Sequence, residues 1–316
     1  MLKVGIVGVG GISGAHIPAW EEMKEAELVA MCDVRPERME AFPEKHRYTD
    51  FDEMLEKEEL DILDICLPTY LHADYAVKAL EKGINVLCEK PISLDRANVD
   101  CVYGAAKKNG VRFMIAHVLR FWPEFCRLKE IYDTKEYGKL LSGTMTRLGG
   151  IPKWSWNDWM RDEKLSGLVP FDLHIHDLDF LVYMLGAPKS YQLHRAKLPT
   201  QDYMSVTYEY DGFFINTQAS WFDCSYPFTA EFAFQFEKAV VAFEHGKLQI
   251  YEQDGTVIDT AAEAASASGT INLPTTDAYA NEIRYFADCV LAGKDCDRVK
   301  PEELKAVLDI LCAMLG

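Results

Sequence analysis

Up to about residue 116, short runs of almost wholly apolar residues alternate with longer stretches in which apolar side chains recur at every third or fourth position. The runs Lys3–Val7, Glu27–Cys32, Ile62–Leu67, Asn85–Cys88 and Arg112–Ala116 predict strands. Between them, Ala15–Met23, Phe51–Lys57, His72–Lys82 and Ala97–Lys108 predict helices. Strands without a polar face, joined through helices, belong in a parallel sheet covered on both sides. Gly83 and Gly110, each placed just after lysines, mark helix ends with cations in the last turn.

Past about residue 138 the pattern changes. Lys139–Arg147, Ser190–Lys197, Tyr203–Tyr210, Phe213–Phe222, Phe228–Phe236 and Val240–Phe243 are longer, more aromatic and partly alternating. Asp211-Gly212 between two of them is a hairpin signal. This half predicts an open, mainly antiparallel sheet with one face covered. A helix over Leu173–Leu185 interrupts it and stops at Gly186-Ala187-Pro188, and Ala278–Leu291 and Pro301–Leu315 are helical. Ala261–Gly269, small and polar, reads as a mobile surface loop. The fold class expected is therefore α/β, with a boundary that separates residues 1–120 from 121–316.

The chain has 316 residues, more than the ~250–300 at which a single core usually stops growing, which agrees with two domains. A formal net charge of −17 makes nucleic acid and anionic membrane surfaces poor partners. No apolar run approaches the ~20 residues needed to span a bilayer. The chain opens directly on a strand pattern rather than a signal peptide. Nine dispersed cysteines without a C-x-x-C pair suit reduced thiols. A cytoplasmic location is expected.

Chemistry enters at the first strand end, with Gly8-Val9-Gly10-Gly11-Ile12-Ser13-Gly14. Gly8 permits a tight turn, and Gly10 admits a pyrophosphate close to the backbone. A small residue at position 13 lets the next helix pack, so that its N-terminus faces the phosphates. The second strand ends at Asp33, placed for the hydroxyls of an adenine ribose. Gly8, Gly10, Gly11, Ile12 and Ser13, with Asp33, Val34 and Arg35, form the expected dinucleotide set of a Rossmann domain. Asp33 favours NAD, and Arg35 keeps NADP as the lesser alternative.

Two further runs carry candidate catalysts. Glu89-Lys90-Pro91 ends a strand at the edge where open α/β sheets bind ligands, and Pro91 biases Lys90 toward extended backbone. A lysine there stabilises an alkoxide or shares its proton. In Asp172-Leu173-His174-Ile175-His176, Asp172 and His176 are four apart and share one helix face. Histidine suits proton acceptance near neutrality. A metal held by His174, His176 and Asp172 is the alternative, and no metal is expected. Trp154, Trp156 and Trp159 stack on sugars or fill a core, and the core reading is preferred.

On these runs the chain resembles the glucose–fructose oxidoreductase/inositol dehydrogenase (Gfo/Idh/MocA) family. Leu67-Pro68-Thr69-Tyr70-Leu71-His72, Ala278–Ile283 and Phe286 add to the match. The resemblance implies a Rossmann domain followed by an α/β domain whose open sheet often makes dimer or tetramer contacts. It implies a catalytic cluster of Lys90, Asp172 and His176, with His176 accepting the proton. It also implies Pro68, Thr69 and His72 beside the nicotinamide half of the cofactor, with Glu89 and Lys90 nearby. His117 stands where many relatives carry Asn or Gln, and Ser166-Gly167 stands for their Gly-Gly. His117, Arg120 and Trp156 are the candidate substrate contacts. The expected activity is hydride transfer between NAD and a secondary hydroxyl of a sugar, sugar derivative or cyclitol. Its rivals are NAD-dependent glycoside cleavage by transient oxidation, and a non-catalytic NAD sensor.

Overall fold

A computed structural model of the chain describes residues 1–260 and 277–315, so Ala261–Gly269, read above as a loop, lies outside the described residues. The chain divides into two compact units. One holds Met1–Phe121 together with Asp277–Lys305, and the other holds the residues from Trp122 onward and those after Lys305. The change of unit at Phe121/Trp122 lies beside the expected boundary. The return of residues 277–305 to the first unit differs from the reading that gave everything after 120 to the second domain.

The first unit is built on six parallel strands: β1 (Leu2–Val7), β2 (Ala26–Cys32), β3 (His46–Tyr48), β4 (Ile62–Ile65), β5 (Asn85–Glu89) and β6 (Phe113–Ala116). Their order is β3-β2-β1-β4-β5-β6, that of a dinucleotide-binding doubly wound sheet. The central strands are buried along almost their whole length, as strands covered on both faces must be. Helices α1 (Ser13–Glu21), α2 (Phe51–Lys57), α3 (His72–Glu81) and α4 (Ala97–Asn109) make the crossovers. Helix α4 ends on Gly110 in the left-handed conformation. Strand β3 escaped the sequence reading because His46-Arg47-Tyr48 is short and has no buried position.

The second unit begins with α5 (Pro123–Thr134), β7 (Leu140–Gly150), the short α6 (Glu163–Ser166) and α7 (Ile175–Leu185). Strands β8 (Ser190–Leu198), β9 (Gln201–Glu209), β10 (Phe214–Phe222), β11 (Thr229–Phe236), β12 (Ala239–Glu244), β13 (Lys247–Glu252) and β14 (Val257–Thr260) follow. With β7 they form one eight-stranded sheet in the order β14-β13-β12-β11-β7-β10-β9-β8. Only the β7–β10 pair is parallel. The α/β class with a mainly antiparallel second sheet is therefore the one expected. At the Asp211-Gly212 turn, Tyr210 N–H donates to Phe213 O at 3.0 Å, and Gly212 takes the positive φ (82°) that the hairpin requires. Helix α8 (Ala278–Ala292) belongs to the first unit, and α9 (Pro301–Leu315) ends the description.

In the second unit Phe125 of α5 is the hub of an aromatic cluster. Its ring meets Phe180 edge-on at 4.9 Å and Phe232 at 5.0 Å, and Phe243 lies at 6.3 Å. Helix α5 was missed in the sequence, although Pro123 stands at its first turn, the one position where proline favours a helix. Truncation of this ring, Phe125→Ala, is expected to destabilise the protein by about 3–5 kcal/mol, read by urea unfolding.

Candidate active site

The reversal of strand order between β1 and β4 opens a crevice at the carboxyl ends of the strands, and the glycine loop lies at that point. Gly8 has φ +90°, and a Cβ there would sit 2.5 Å from the Cys66 carbonyl oxygen, so only glycine fits. A Cβ on Gly10, in contrast, meets nothing within 4 Å, which leaves room for a ligand over the backbone. Ser13, at the third glycine site, is buried and donates its hydroxyl to Gly10 O at 2.8 Å, bracing the loop from inside. Helix α1 starts without a side-chain cap, as suits a helix N-terminus facing a phosphate. Gly11 and Ile12 are half-buried at this turn. The residues present thus fit a dinucleotide pyrophosphate.

Asp33 ends β2 as a buried carboxylate. Its Oδ2 accepts the Val9 N–H at 2.9 Å, tying it to the glycine loop. Arg35 approaches the same carboxylate with Nε 3.1 Å from Oδ1 and Nη2 3.2 Å from Oδ2, while Val34 between them is 62% exposed. Arg38 donates to Val9 O at 2.9 Å. After β4, Pro68 leads into a 3₁₀ turn with Thr69 buried. His72, expected beside the nicotinamide half, lies with both ring nitrogens 2.6 Å from backbone oxygens, Nδ1 from Pro91 O and Nε2 from Leu67 O. Burial holds its pKa below the ordinary value against the pull of those carbonyls.

Glu89 and Lys90 stand at the end of β5, Glu89 buried and Lys90 half-buried. Behind them lies a network that the sequence reading missed. His16 of α1 is fully buried, with Nδ1 2.9 Å from Asp64 Oδ2 and Nε2 3.1 Å from Glu89 Oε1. Trp20 donates Nε1–H to the same Asp64 oxygen at 2.7 Å. Burial alone would lower the His16 pKa, but the Asp64 carboxylate outweighs it and carries the pKa well above the ordinary value. Burial would raise Glu89, and the His16 hydrogen bond and charge bring it below its ordinary value instead. The usable signal was Asp64 itself, one carboxylate in the otherwise apolar central run Ile62–Leu67.

In the second unit the helix expected over Leu173–Leu185 is preceded by a π-helical turn at Pro170–His174, and the α-helix starts at Ile175. Such turns recur at functional sites. From Phe171 to Phe180 every residue is buried except Asp172 and His176, which are half-buried. The two residues four apart are thus the partly open positions of an otherwise buried run. His174 lies on the buried side, its Nε2 2.6 Å from the Tyr208 hydroxyl, and burial drives its pKa down to about 3. That nitrogen is thus engaged by Tyr208, which argues against the alternative metal set. Asp177 is buried against Arg147, whose Nη2 is 2.7 Å from Oδ1.

Arg120 and two of the tryptophans lie where the sequence reading did not put them. Arg120, a candidate substrate contact, is wholly buried in the first unit, paired with Glu303 and donating to Arg298 O at 2.8 Å. Its guanidinium pins residues 298–303 to the end of the Rossmann segment. Of the tryptophans expected in a core, Trp154 at 50% and Trp156 at 38% exposure are at the surface, whereas Trp159 is half-buried. Asn157 and Asp158, which follow Trp156, are both left-handed. His117 is buried just after β6.

Comparison with known proteins matches residues 2–117 to the oxidoreductase family with an NAD-binding Rossmann fold, and residues 125–249 to the GFO/IDH/MocA C-terminal domain. The chain belongs to the Gfo/Idh/MocA family. Its Gfo/Idh/MocA relatives include glucose-6-phosphate 3-dehydrogenase of Bacillus subtilis, 29% identical over 63% of this chain and 58% of that protein. A 2,7-anhydro-N-acetylneuraminate hydratase of Mediterraneibacter gnavus is 30% identical over 57% of this chain and 48% of that protein. The chain thus spans about half to three fifths of the curated relatives it matches. Among solved structures, levoglucosan dehydrogenase with NADH and levoglucosan superimposes with a TM-score of 0.83, at 18% identity over 99% of this chain and 96% of that one. Myo-inositol 2-dehydrogenase from Lactobacillus plantarum gives 0.79, at 19% identity over 99% and 96%. These structures share the fold. Among the described residues no helix is long and apolar enough to cross a membrane, and all nine cysteines are free.

The His16–Glu89 pair makes this Gfo/Idh/MocA protein's stability depend on pH. A raised histidine pKa contributes stability that is complete below the ordinary 6.5 and is lost as pH rises through the raised value. A lowered carboxylate pKa contributes stability complete above 4.5 and lost as pH falls through the lowered value. Melting temperature is therefore expected to be highest between about pH 4.5 and 6.5. The double variant His16→Gln/Glu89→Gln should flatten the curve on both sides in scanning fluorimetry.

Proposed function

We propose that this protein is an NAD-dependent oxidoreductase that moves a hydride between the nicotinamide and a secondary hydroxyl of a sugar, sugar derivative or cyclitol. The observation that carries this reading is the pair Asp172 and His176 as the half-open positions of a buried run, on a chain whose first unit is an NAD-binding Rossmann domain. Relatives named for oxidation of a sugar phosphate and of inositol support the substrate class.

NAD, when bound, supplies the hydride acceptor. The chain's own residues supply the rest. His176 accepts the hydroxyl proton, the general-base role that an imidazole can fill. The Lys90 ammonium stabilises the alkoxide that forms as the proton leaves. Asp172 holds a neighbouring hydroxyl and sets which carbon faces the cofactor. Asp33, buried and tied to the Val9 amide, repels a 2′-phosphate and so favours NAD over NADP. The protein acts in the cytoplasm as a homodimer or homotetramer, with neither nucleic acid nor membrane as partner.

A second reading has one observation in its favour, the hydratase among the relatives. There the same residues would serve transient oxidation, elimination and re-reduction of an anhydrosugar or glycoside, with no net change in NAD.

The test is NADH formation against a panel of sugars, sugar phosphates, inositols and glycosides with NAD or NADP. Net NADH supports the dehydrogenase. Sugar release without net NADH supports the second reading, and silence on the whole panel defeats both. Lys90→Ala is expected to lower kcat by about 10²–10³, the cost of a lost electrostatic donor, and full activity in that variant would remove Lys90 from the mechanism. Asp33→Ala should shift the NAD-to-NADP ratio of kcat/KM toward NADP by about tenfold, the equivalent of ~1.4 kcal/mol.

A further inference from the structure

The chemistry given to Lys90 demands that its amine be aimed, and the backbone that aims it is held by groups with no place yet in the mechanism. Glu89, the residue before it, is buried and uses both carboxylate oxygens. Oε2 accepts the Lys90 N–H at 3.1 Å, and Oε1 faces His16 Nε2 at the same distance. On its other edge the His16 ring presents Nδ1 to Asp64 Oδ2 at 2.9 Å. A neutral imidazole donates from one nitrogen only and would turn a lone pair toward the second carboxylate. With both contacts buried, either the ring or one carboxyl must hold the additional proton, and the imidazole, the stronger base, takes it: a buried cation between two buried anions.

The three groups do not have the chemistry of a metal centre, although His16, Asp64 and Cys66 lie close enough together for one. Asp64 is already filled by donors from Trp20, His16 and the Cys66 thiol. Burial first, and then Asp64, push that thiol's pKa up to about 12, so within this network it is a donor to Asp64. On the far side of Lys90 the next peptide is held as well, since the His72 ring reaches Pro91 O and Leu67 O. The Tyr279 ring of α8, 5.9 Å from the His16 ring, helps to cover the network.

We propose that His16 is a positioning residue for Lys90: a buried imidazolium that donates to Asp64 and to Glu89 and so fixes the Glu89-Lys90 peptide at the end of β5. The proposal rests on the role given above to Lys90. Removing the cation leaves two buried carboxylates with no counter-charge between them. Glu89 must then take a proton or move, and the Lys90 N–H loses a charged acceptor of fixed position. The harm falls on the aim of the amine, not on the glycine loop that holds the cofactor.

The test compares His16→Gln, Glu89→Gln and the double variant. NADH binding is followed by fluorescence, and turnover by the best polyol of the panel above. His16→Gln is expected to lower kcat by about ten- to a hundredfold, the scale of a small misplacement, with the NADH Kd changed less than about threefold. The double variant should lose no more than Glu89→Gln alone, because both substitutions break one linkage. It keeps the net charge of the three groups at −1, so it carries the test if His16→Gln does not fold. Nitrogen-15 spectra of labelled histidine should show both His16 ring nitrogens protonated at neutral pH in the wild-type protein. Unchanged kcat in His16→Gln, losses that multiply in the double variant, or a neutral tautomer in the spectrum would each overturn the proposal. A wild type silent on every polyol would count against the reaction assigned to Lys90, whereas the spectrum decides the buried cation independently.

Discussion

The first unit is organised by the reversal of strand order beside β1. The chain leaves β1 toward β2 and β3 on one side and returns to β4, β5 and β6 on the other, so crossovers diverge at that point. Their divergence leaves the carboxyl ends of β1 and β4 uncovered by helices. The candidate cofactor and catalytic residues of this unit gather there: the glycine loop after β1, Asp33 after β2, the 3₁₀ turn after β4 and the Glu89-Lys90 pair at β5. Parallel hydrogen bonding holds these ends in register. Gly8 N–H reaches Cys32 O and Cys66 N–H reaches Val7 O, each at 2.8 Å.

A sheet covered on both faces has a second consequence, which is that any charge within it must be compensated in place. Asp64 in the middle strand has no water to turn to, and neither has Glu89 one strand away. The single imidazole of His16 satisfies both. Breaking such an arrangement by removing one member costs far more than the intact set contributes. Three buried titratable groups standing where apolar residues would pack as well impose a fixed geometry on the strands that carry them.

Much of this was legible in the sequence because it rests on local rules. Apolar runs of strand length separated by helical periodicity mark a parallel sheet, and glycine at position 8 marks a turn no other residue can make. Asp172 and His176 were legible as polar positions in an otherwise apolar run, and both are half-buried within it. What was not legible depended on long-range contacts. Arg120 looks like a ligand contact in sequence, and only the arrival of Glu303 and the Arg298 carbonyl turns it into an internal strut. Trp154 and Trp156 look like core, because nothing in the local pattern reveals that they stay at the surface. The strand at 46–48 has no buried position to betray it.

That internal strut bears on how the molecule comes to be made. Residues up to Phe121 are synthesised well before Arg298, which stacks on Phe121 at 4.5 Å, and before Glu303, which pairs with Arg120. Until those residues leave the ribosome, the end of β6 lacks these two contacts. The cofactor-binding unit is thus discontinuous in time as well as in sequence. An emerging chain carries this unit unfinished through the whole synthesis of the second sheet.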